Sequence, residues 1–498
     1  MAFLPVCADD LAARGWDELD FLFITGDAYV DHPSFGAALL TRLLEAEGYR
    51  VGVIAQPVTQ DEQSLMVMGK PRYGVFVSSG VVDSMVNHYT AARKHRSEDR
   101  YSPGGLGGRR PDRAVIRYCQ MVRSQMGDIP LVIGGIEASL RRFAHYDYWS
   151  DTVRQSILVD SLADVLVYGM GEKPIVEIAR LLSRQAPVEK ITSLRGTCVL
   201  RKTHQLSKKA VSFLEAAEEA RDPFFESEEF ILLPDAASVS KDKIRYAKAF
   251  QTQQSEQDPQ SGRTLIQRHQ SRCVVQNPPV KPMTPAEMDR IYSLPYERLA
   301  HPSYDALGGV PALTEVRFSI NSHRGCYGSC SFCAIAYHQG RIIQRRSEQS
   351  ILAEGELLTA MPDFKGYIHD VGGPTANFYL PACDKQEQGA VCKERLCLSP
   401  QPCPKLKVDH QAYLSVLRKL RKIPGVKKVF VRSGIRFDSI VRDPDPTVLE
   451  EFCQYHISGQ LKVAPEHTVN SVLRLMGKPD HDVYEQFEKR YREVNERL

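Results

Sequence analysis

Apolar strand-length runs alternate with amphipathic segments through the first part of the chain. Leu19-Asp20-Phe21-Leu22-Phe23-Ile24-Thr25 reads as a buried strand. Leu39, Leu40, Leu43 and Leu44 then share one helical face, with Gly48 as the stop signal. Val51–Ala55 and Tyr73–Ser78 are further strands, and a helix over residues 114–125 leads to the run Pro130–Gly135. Asp164–Tyr168 is another short strand, followed by Gly169-Met170-Gly171-Glu172 and a helix through Ile175, Ile178 and Leu181. Continuous apolar strands between helices predict an α/β fold with a parallel, doubly wound sheet. Glycines just after the strands put the ligand-facing edge at the strands' C-terminal ends.

The periodicity weakens from about Leu200 to Pro311, where a polar loop at 255–262 and Pro278, Pro279, Pro282 and Pro285 mark an irregular connector. The strand–helix rhythm returns at Glu315–Asn321, then a helix over 347–360, a strand at Gly366–Val371 and a helix over 411–421. Lys428–Arg432 is a third strand before a helix over 446–455, and Gln460–Ala464 a fourth before a last helix from about Val483. The expected organisation is an N-terminal Rossmann-like domain at 1–195, a connector and accessory segment at 196–312 partly packed on its neighbours, and a partial (β/α) barrel at 313–498 with a cysteine-bearing insertion at 378–409.

Composition narrows the class. The chain has 498 residues, 43% hydrophobic and 25% charged, which fits a globular protein of two or three domains. A formal net charge of +3 argues neither for nor against nucleic acid. No apolar run reaches membrane-spanning length, and the N-terminus lacks a basic, apolar leader, so a cytoplasmic location without a membrane partner is expected. Of twelve cysteines, seven fall between Cys326 and Cys403, a distribution that points to metal or redox chemistry before disulfides.

Cys326, Cys330 and Cys333 stand at Cys-x3-Cys-x2-Cys spacing at the end of a predicted strand. Three close thiolates can hold three irons of a cubane cluster and leave the fourth open to a small molecule. Zinc is the competing reading, but zinc ligands come as paired groups, and a triplet with Phe332 just before its last cysteine fits that poorly. Cys383, Cys392, Cys397 and Cys403 form a second group, suited to tetrahedral zinc or a second iron–sulfur cluster; free thiols or one disulfide are the alternative. Cys7, Cys119, Cys198, Cys273 and Cys453 read as packed thiols.

The loop Cys326-x3-Cys330-x-Phe332-Cys333 resembles the signature of the radical SAM superfamily. The resemblance implies a [4Fe-4S] cluster on the three cysteines, with S-adenosylmethionine on the fourth iron. It also implies one-electron cleavage to a 5′-deoxyadenosyl radical for hydrogen abstraction, and an electron donor such as flavodoxin or ferredoxin. Gly372-Gly373-Pro374 resembles the family's Gly-Gly-Glu motif for the S-adenosylmethionine amino group, with Pro374 where Glu is usual. Arg432, Ser433, Lys462 and Glu466, at the ends of the third and fourth strands, resemble positions that contact the ribose and carboxylate. Leu475-Met476-Gly477-Lys478-Pro479 is similar to a segment of methylthiotransferase-type members.

In the N-terminal part, Gly134-Gly135-Ile136-Glu137-Ala138 and Gly169-Met170-Gly171-Glu172 resemble sheet-edge loops of cobalamin-binding domains fused to radical SAM barrels. The expected Asp-x-His-x-x-Gly ligand motif is absent, since Asp31-His32-Pro33-Ser34-Phe35-Gly36 has neither spacing. His32 is therefore read as a helix-start or surface residue, and cobalamin is not expected. Ser102–Arg110 is read as a flexible surface loop before an anion cradle.

Together with Val30–Gly36, His338-Gln339-Gly340-Arg341 and Asp370–Asn377, these motifs resemble, over nearly the whole chain, the YgiQ family, long radical SAM proteins of undefined reaction. Superfamily barrels usually carry six βα units against four here, so a C-terminal truncation is expected, with a buried unpaired edge on the fourth strand. The missing portion, as a separate chain, joins the expected partners. The alternative function is a non-catalytic iron–sulfur or zinc-binding protein with an incomplete barrel. Methylation or methylthiolation of nucleic acid is conceivable only by analogy, and the substrate is not legible.

Overall fold

The computed structural model describes residues 3–498. It divides into two compact units, one of Met1–Val280 with Leu294–Leu313, the other of Lys281–Ser293 with Thr314–Leu498.

In the first unit, successive side chains of the strand Phe21–Thr25 point to opposite faces, and both faces are buried. Leu22 and Ile24 join Val75, Leu131, Ile133 and the helix Ala114–Met126 in one core. Phe21 and Phe23 join Phe76, Val132 and the helices Gly36–Ala46 and Glu172–Ser183 in the other. Burial on both faces is why these strands read as unbroken apolar runs. Phe21–Thr25 lies between Val51–Ala55 and Gly74–Ser78, and Leu131–Gly134 and Val165–Val167 continue the sheet, all in parallel. Two layers of helix over a parallel sheet are as expected.

Much of the expected connector and accessory segment is part of the first unit's sheet and no linker. Thr197–Lys202, Phe230–Leu233, Thr264–His269 and Arg272–Gln276 extend the same sheet to nine strands, three of the added ladders being antiparallel. The hairpin Thr264–Gln276 turns at Gln270-Ser271, and its apolar residues Leu265, Ile266, Val274 and Val275 are buried on both faces. Short strands spaced by polar loops hid this pattern from periodicity.

The first unit closes its ligand-facing edge with its own side chains. Just past Thr25 and Ser78, Arg110 Nη2 donates to Asp27 Oδ1 at 2.7 Å and to Asp99 Oδ2 at 3.3 Å, and Nη1 donates to the Ser79 carbonyl at 2.7 Å. Arg110 and Ser102 are buried, so Ser102–Arg110 is not a free surface loop. Burial pushes the Asp27 carboxyl up to about 6 against the Arg110 charge. His32 is buried too, not at the surface: Nδ1 accepts from the Ser34 N–H at 3.1 Å, and Nε2 contacts Arg298 Nη1 at 3.1 Å.

The second unit is built from short parallel pairings. Ser319–Asn321 pairs with Asp370–Gly372, and Tyr367–Ile368 with Lys428–Val429. Ile320, Ile368, Val371 and Val429 pack beneath the helices Glu348–Thr359, Gln411–Leu420 and His481–Arg497. Residues 315–316, expected as strand, end the helical turn Pro311–Val316. The third strand ends at Val429: the Phe430 N–H still donates to the Ile368 carbonyl, but the Val431 N–H turns to the His456 carbonyl, and those of Arg432 and Ser433 to the Asp370 carboxylate. The fourth reduces to one bridge, Ile435 to Val463, and Lys462, Ala464 and Glu466 are exposed. The buried edge expected there is solvent-facing instead.

Removing Arg110 strands two buried carboxylates. Arg110→Ala should lower the stability of the chain by roughly 3–5 kcal/mol, read from the urea midpoint at neutral pH. A loss under about 1 kcal/mol would show that the network is not needed to close this edge.

Candidate functional site

The cysteine loop leaves the strand Ser319–Asn321 beside the loop that leaves Asp370–Gly372. Register aligns Asn321 with Gly372, and the Ser322 N–H donates to the Gly372 carbonyl at 2.7 Å. The short pairing of His323–Arg324 with Gln344–Arg345 then pinches the loop at its base. Gly325 sits at φ +86°, and a Cβ there would lie 2.0 Å from the Ile342 carbonyl oxygen, so only glycine passes. The Cys326 N–H donates to the Gly340 carbonyl at 3.1 Å, and the Cys333 N–H to that of Cys330 at 3.0 Å. The helix Ala334–Gln339 follows at once. All three thiols are free and half-buried.

Behind the thiols stands a buried cation. Arg436 grips Asp438 through Nε and Nη2, both at 2.8 Å, and Nη1 donates to Cys330 Sγ at 3.5 Å. Burial opposes the charge on each partner, but their attraction holds the Arg436 guanidinium firmly protonated and the Asp438 carboxyl below the usual range. Burial pushes the Cys326 thiol up, against the Thr375 hydroxyl, the Gly328 amide and Arg436, which all favour its thiolate. Cys326 Sγ lies 3.5 Å from Thr375 Oγ1.

Asn377 fixes Arg436 from the backbone. Its Oδ1 accepts the Arg436 N–H at 2.9 Å, and its Nδ2 donates to the Arg436 carbonyl at 3.2 Å and to His410 Nε2 at 2.9 Å. His410 Nδ1 donates in turn to Asp443. This buried chain gives Asn377, the last residue of the Asp370–Asn377 motif, a positioning role.

Gly373 is glycine for a local reason, since a Cβ there would lie 2.6 Å from the His323 carbonyl oxygen and 2.7 Å from its Nε2. His323 Nε2 donates to the Thr375 carbonyl at 3.1 Å, and Nδ1 takes the Ser322 hydroxyl at 2.9 Å. Gly372, Gly373 and Pro374 are thereby carried to the cysteine loop through Thr375. Ser433 is bound to Asp370 through its N–H at 3.0 Å and through its hydroxyl.

The other predicted contacts go elsewhere. The Arg432 guanidinium faces Glu315 at 4.0 Å on the surface. Lys462 is exposed, and its carbonyl accepts the Ile435 N–H at 3.2 Å. Glu466 pairs with Lys478 Nζ at 3.2 Å. The segment Leu475–Lys478 does reach the loop: Ser331 donates through N–H to Met476 O at 3.0 Å and through Oγ to Leu475 O at 2.7 Å.

The second cysteine group lies near the first. Tyr327 stacks on Phe378 with ring centroids 3.8 Å apart, in one small core with Ala382, Leu398, Cys326 and Cys397. Burial pushes the Cys397 thiol up to about 11; Arg341 opposes this, and Cys383, Cys392 and Cys403 add to it. Among the described residues, no three His, Cys, Asp or Glu side chains stand ready around one ion. Thiols that hold separate irons of a cluster need not share one centre.

Sequence reading missed Arg436, Asp438, Thr375 and His323. Arg436 ends the run Arg432-Ser433-Gly434-Ile435-Arg436, and the signal was its spacing two residues before an aspartate. Choosing the first residues of that run, not its end, overlooked it.

The Radical SAM N-terminal family matches residues 3–319. A UPF0313 protein of Clostridium botulinum (strain Okra / Type B1) is 54% identical over 498 residues, all of this chain and 74% of that protein. The chain belongs to the UPF0313 family, within the radical SAM superfamily. A second member, from Clostridium perfringens (strain ATCC 13124), is 50% identical over 496 residues, 100% of this chain and 72% of that one. Membership agrees with the superfamily resemblance drawn from the cysteine loop.

Among solved structures, the cobalamin-dependent S-adenosylmethionine radical enzyme OxsB with aqua-cobalamin bound superposes with a TM-score of 0.51 at 11% identity, over 98% of this chain and 49% of that chain. This chain thus spans about half the length of OxsB, and the likeness concerns the α/β fold alone. The expectation against cobalamin gains no support from it. Among the described residues no helix is long and apolar enough to cross a membrane.

His323 offers a pH test of the loop's support. Burial pushes its imidazole down to about 4. A depressed value means stability is present above the unfolded pKa of about 6.5 and is lost as pH falls through about 4, on the order of 3 kcal/mol in full. His323→Gln should therefore flatten the fall in urea midpoint between those values. An unchanged slope would show that His323 does not stay neutral in the fold.

Proposed function

We propose that this chain is a radical SAM enzyme, with Cys326, Cys330 and Cys333 as the ligands of a [4Fe-4S] cluster and Gly372, Gly373 and Pro374 beside S-adenosylmethionine. The observation that carries the reading is the register of Asn321 with Gly372, which delivers the three-thiol loop and the glycine loop side by side. The donor set fits the group: three half-buried thiols on one loop, with no histidine or fourth cysteine between Cys326 and Cys333. When bound, the cluster and S-adenosylmethionine supply one-electron reductive cleavage and hydrogen abstraction.

The chain's own residues then have definite work. Arg436 sets a fixed positive charge and an N–H beside Cys330, which offsets thiolate charge in a buried site. Asp438 and Asn377 keep that guanidinium from turning away. Thr375 offers its hydroxyl to Cys326. Ser433 is presented by Asp370 toward Gly372, where a Cβ would meet Ser433 Oγ at 3.0 Å, whereas Arg432 gives Asp370 only its backbone N–H. Lys462 and Glu466 have no comparable tie to the glycine loop, so Gly372–Pro374 carry the assignment. The electron comes from a donor such as flavodoxin or ferredoxin. A cobalamin role would need a lower ligand other than His32, whose two ring nitrogens are engaged.

The test is anaerobic reconstitution with iron and sulfide, then dithionite and S-adenosylmethionine. The full chain should release 5′-deoxyadenosine and methionine, and Cys326→Ser should release none. Arg436→Met should bind iron but slow release by at least about tenfold, the effect expected of lost support to a metal ligand. A fully formed cluster with no release would favour a non-catalytic iron–sulfur protein.

A further inference from the structure

We propose that Cys383, Cys392, Cys397 and Cys403 hold a second, thiophilic metal centre, independent of the Cys326 loop. The four lie in the insertion 378–409, where the described residues hold a single short helix, Asp384–Glu387. Yet Ala382, Ala390, Val391 and Leu398 are buried there. A segment with so small a core of its own commonly gains a cross-link or a metal. All four thiols are free and half-buried, unlike the sealed Cys119 and Cys198 of the first unit.

The segment is already bent to bring these thiols into one neighbourhood. Cys383 immediately precedes the helix Asp384–Glu387, and Gln386 of that helix reaches Cys397 Sγ. The Cys403 N–H donates to the Cys397 carbonyl at 2.8 Å and closes the turn between them. Gln386 accepts the Ala382 N–H at 3.0 Å and donates through Nε2 to Cys397 Sγ at 3.6 Å, the outer support that thiolate ligands ordinarily receive. Buried Arg341 holds the Cys392 carbonyl at 2.7 Å and the Arg395 carbonyl at 3.4 Å. The thiols do not yet surround one point, so binding draws them inward. Each thiol gives its proton to solvent as its sulfur bonds to zinc, with no redox step; a cluster takes its ferrous iron, ferric iron and sulfide ready-made from solution, so that only the thiol protons leave. Four sulfurs suit one tetrahedral zinc ion or one iron–sulfur cluster.

The full chain carrying Cys326→Ser, Cys330→Ser and Cys333→Ser isolates this site from the proposed cluster, so its result does not depend on the enzymatic reading. It is purified anaerobically and loaded with zinc, or with ferrous and ferric iron and sulfide, then examined by elemental analysis and by mass spectrometry after alkylation. We expect one zinc, or iron with acid-labile sulfide, per chain, with Cys383, Cys392, Cys397 and Cys403 protected from alkylation until a chelator is added. Cys397→Ser in this background should lose most of the metal. Continued protection of Cys119 and Cys198 reports that the chain remains folded. A folded, metal-free chain whose four thiols alkylate freely, or are paired as disulfides, would overturn the proposal.

Discussion

No side chain fits at Gly325 or Gly373, and the geometry of the second unit follows from that. At Gly325 the backbone turns through a positive φ against the Ile342 carbonyl. At Gly373 it rests on His323, three residues before the first thiol of the loop. Between these two contacts, the cysteine loop and the glycine loop are fixed to one another through backbone, with His323 and Thr375 as the link. Arg436 then occupies the space that a side chain at Gly328 would need, where a Cβ would come within 3.1 Å of Nη1. The protein's own charge thus stands beside Cys330, and the Thr375 hydroxyl beside Cys326.

The two units handle buried charge in different ways. In the first, Asp27, Asp99 and Arg110 neutralise one another at the sheet edge, where doubly wound folds ordinarily take a ligand. In the second, the pair Arg436–Asp438 leaves one guanidinium nitrogen over for Cys330. The first network fills a crevice; the second keeps a donor aimed at sulfur. That difference explains why the chemistry is assigned to the second unit although both carry glycine loops at strand ends.

Much of this was legible in the sequence wherever one local rule decided the outcome. Apolar runs gave the parallel strands from Phe21 to Val167, and spacing singled out Cys326, Cys330 and Cys333. The four strands between Thr197 and Gln276 were not legible, because they pair largely with partners distant in sequence and alternate with polar loops. The third and fourth strands of the second unit were read too long, because periodicity does not register where amides leave the ladder, as those of Val431, Arg432 and Ser433 do for the His456 carbonyl and the Asp370 carboxylate. Arg436 and His323 were missed for a related reason: each acts through another residue's backbone or sulfur, a relation that only the fold creates. His32, expected as a helix-start or surface residue, is buried against Arg298.

The central claim is that Cys326, Cys330 and Cys333 leave one metal position open for S-adenosylmethionine at the Gly372–Gly373 loop. Electron paramagnetic resonance of the reduced, reconstituted chain, with and without S-adenosylmethionine, tests it most directly. The account predicts a cluster signal whose shape changes when S-adenosylmethionine is added and stays unchanged with methionine-free adenosine. A reduced cluster whose spectrum is indifferent to S-adenosylmethionine would contradict it.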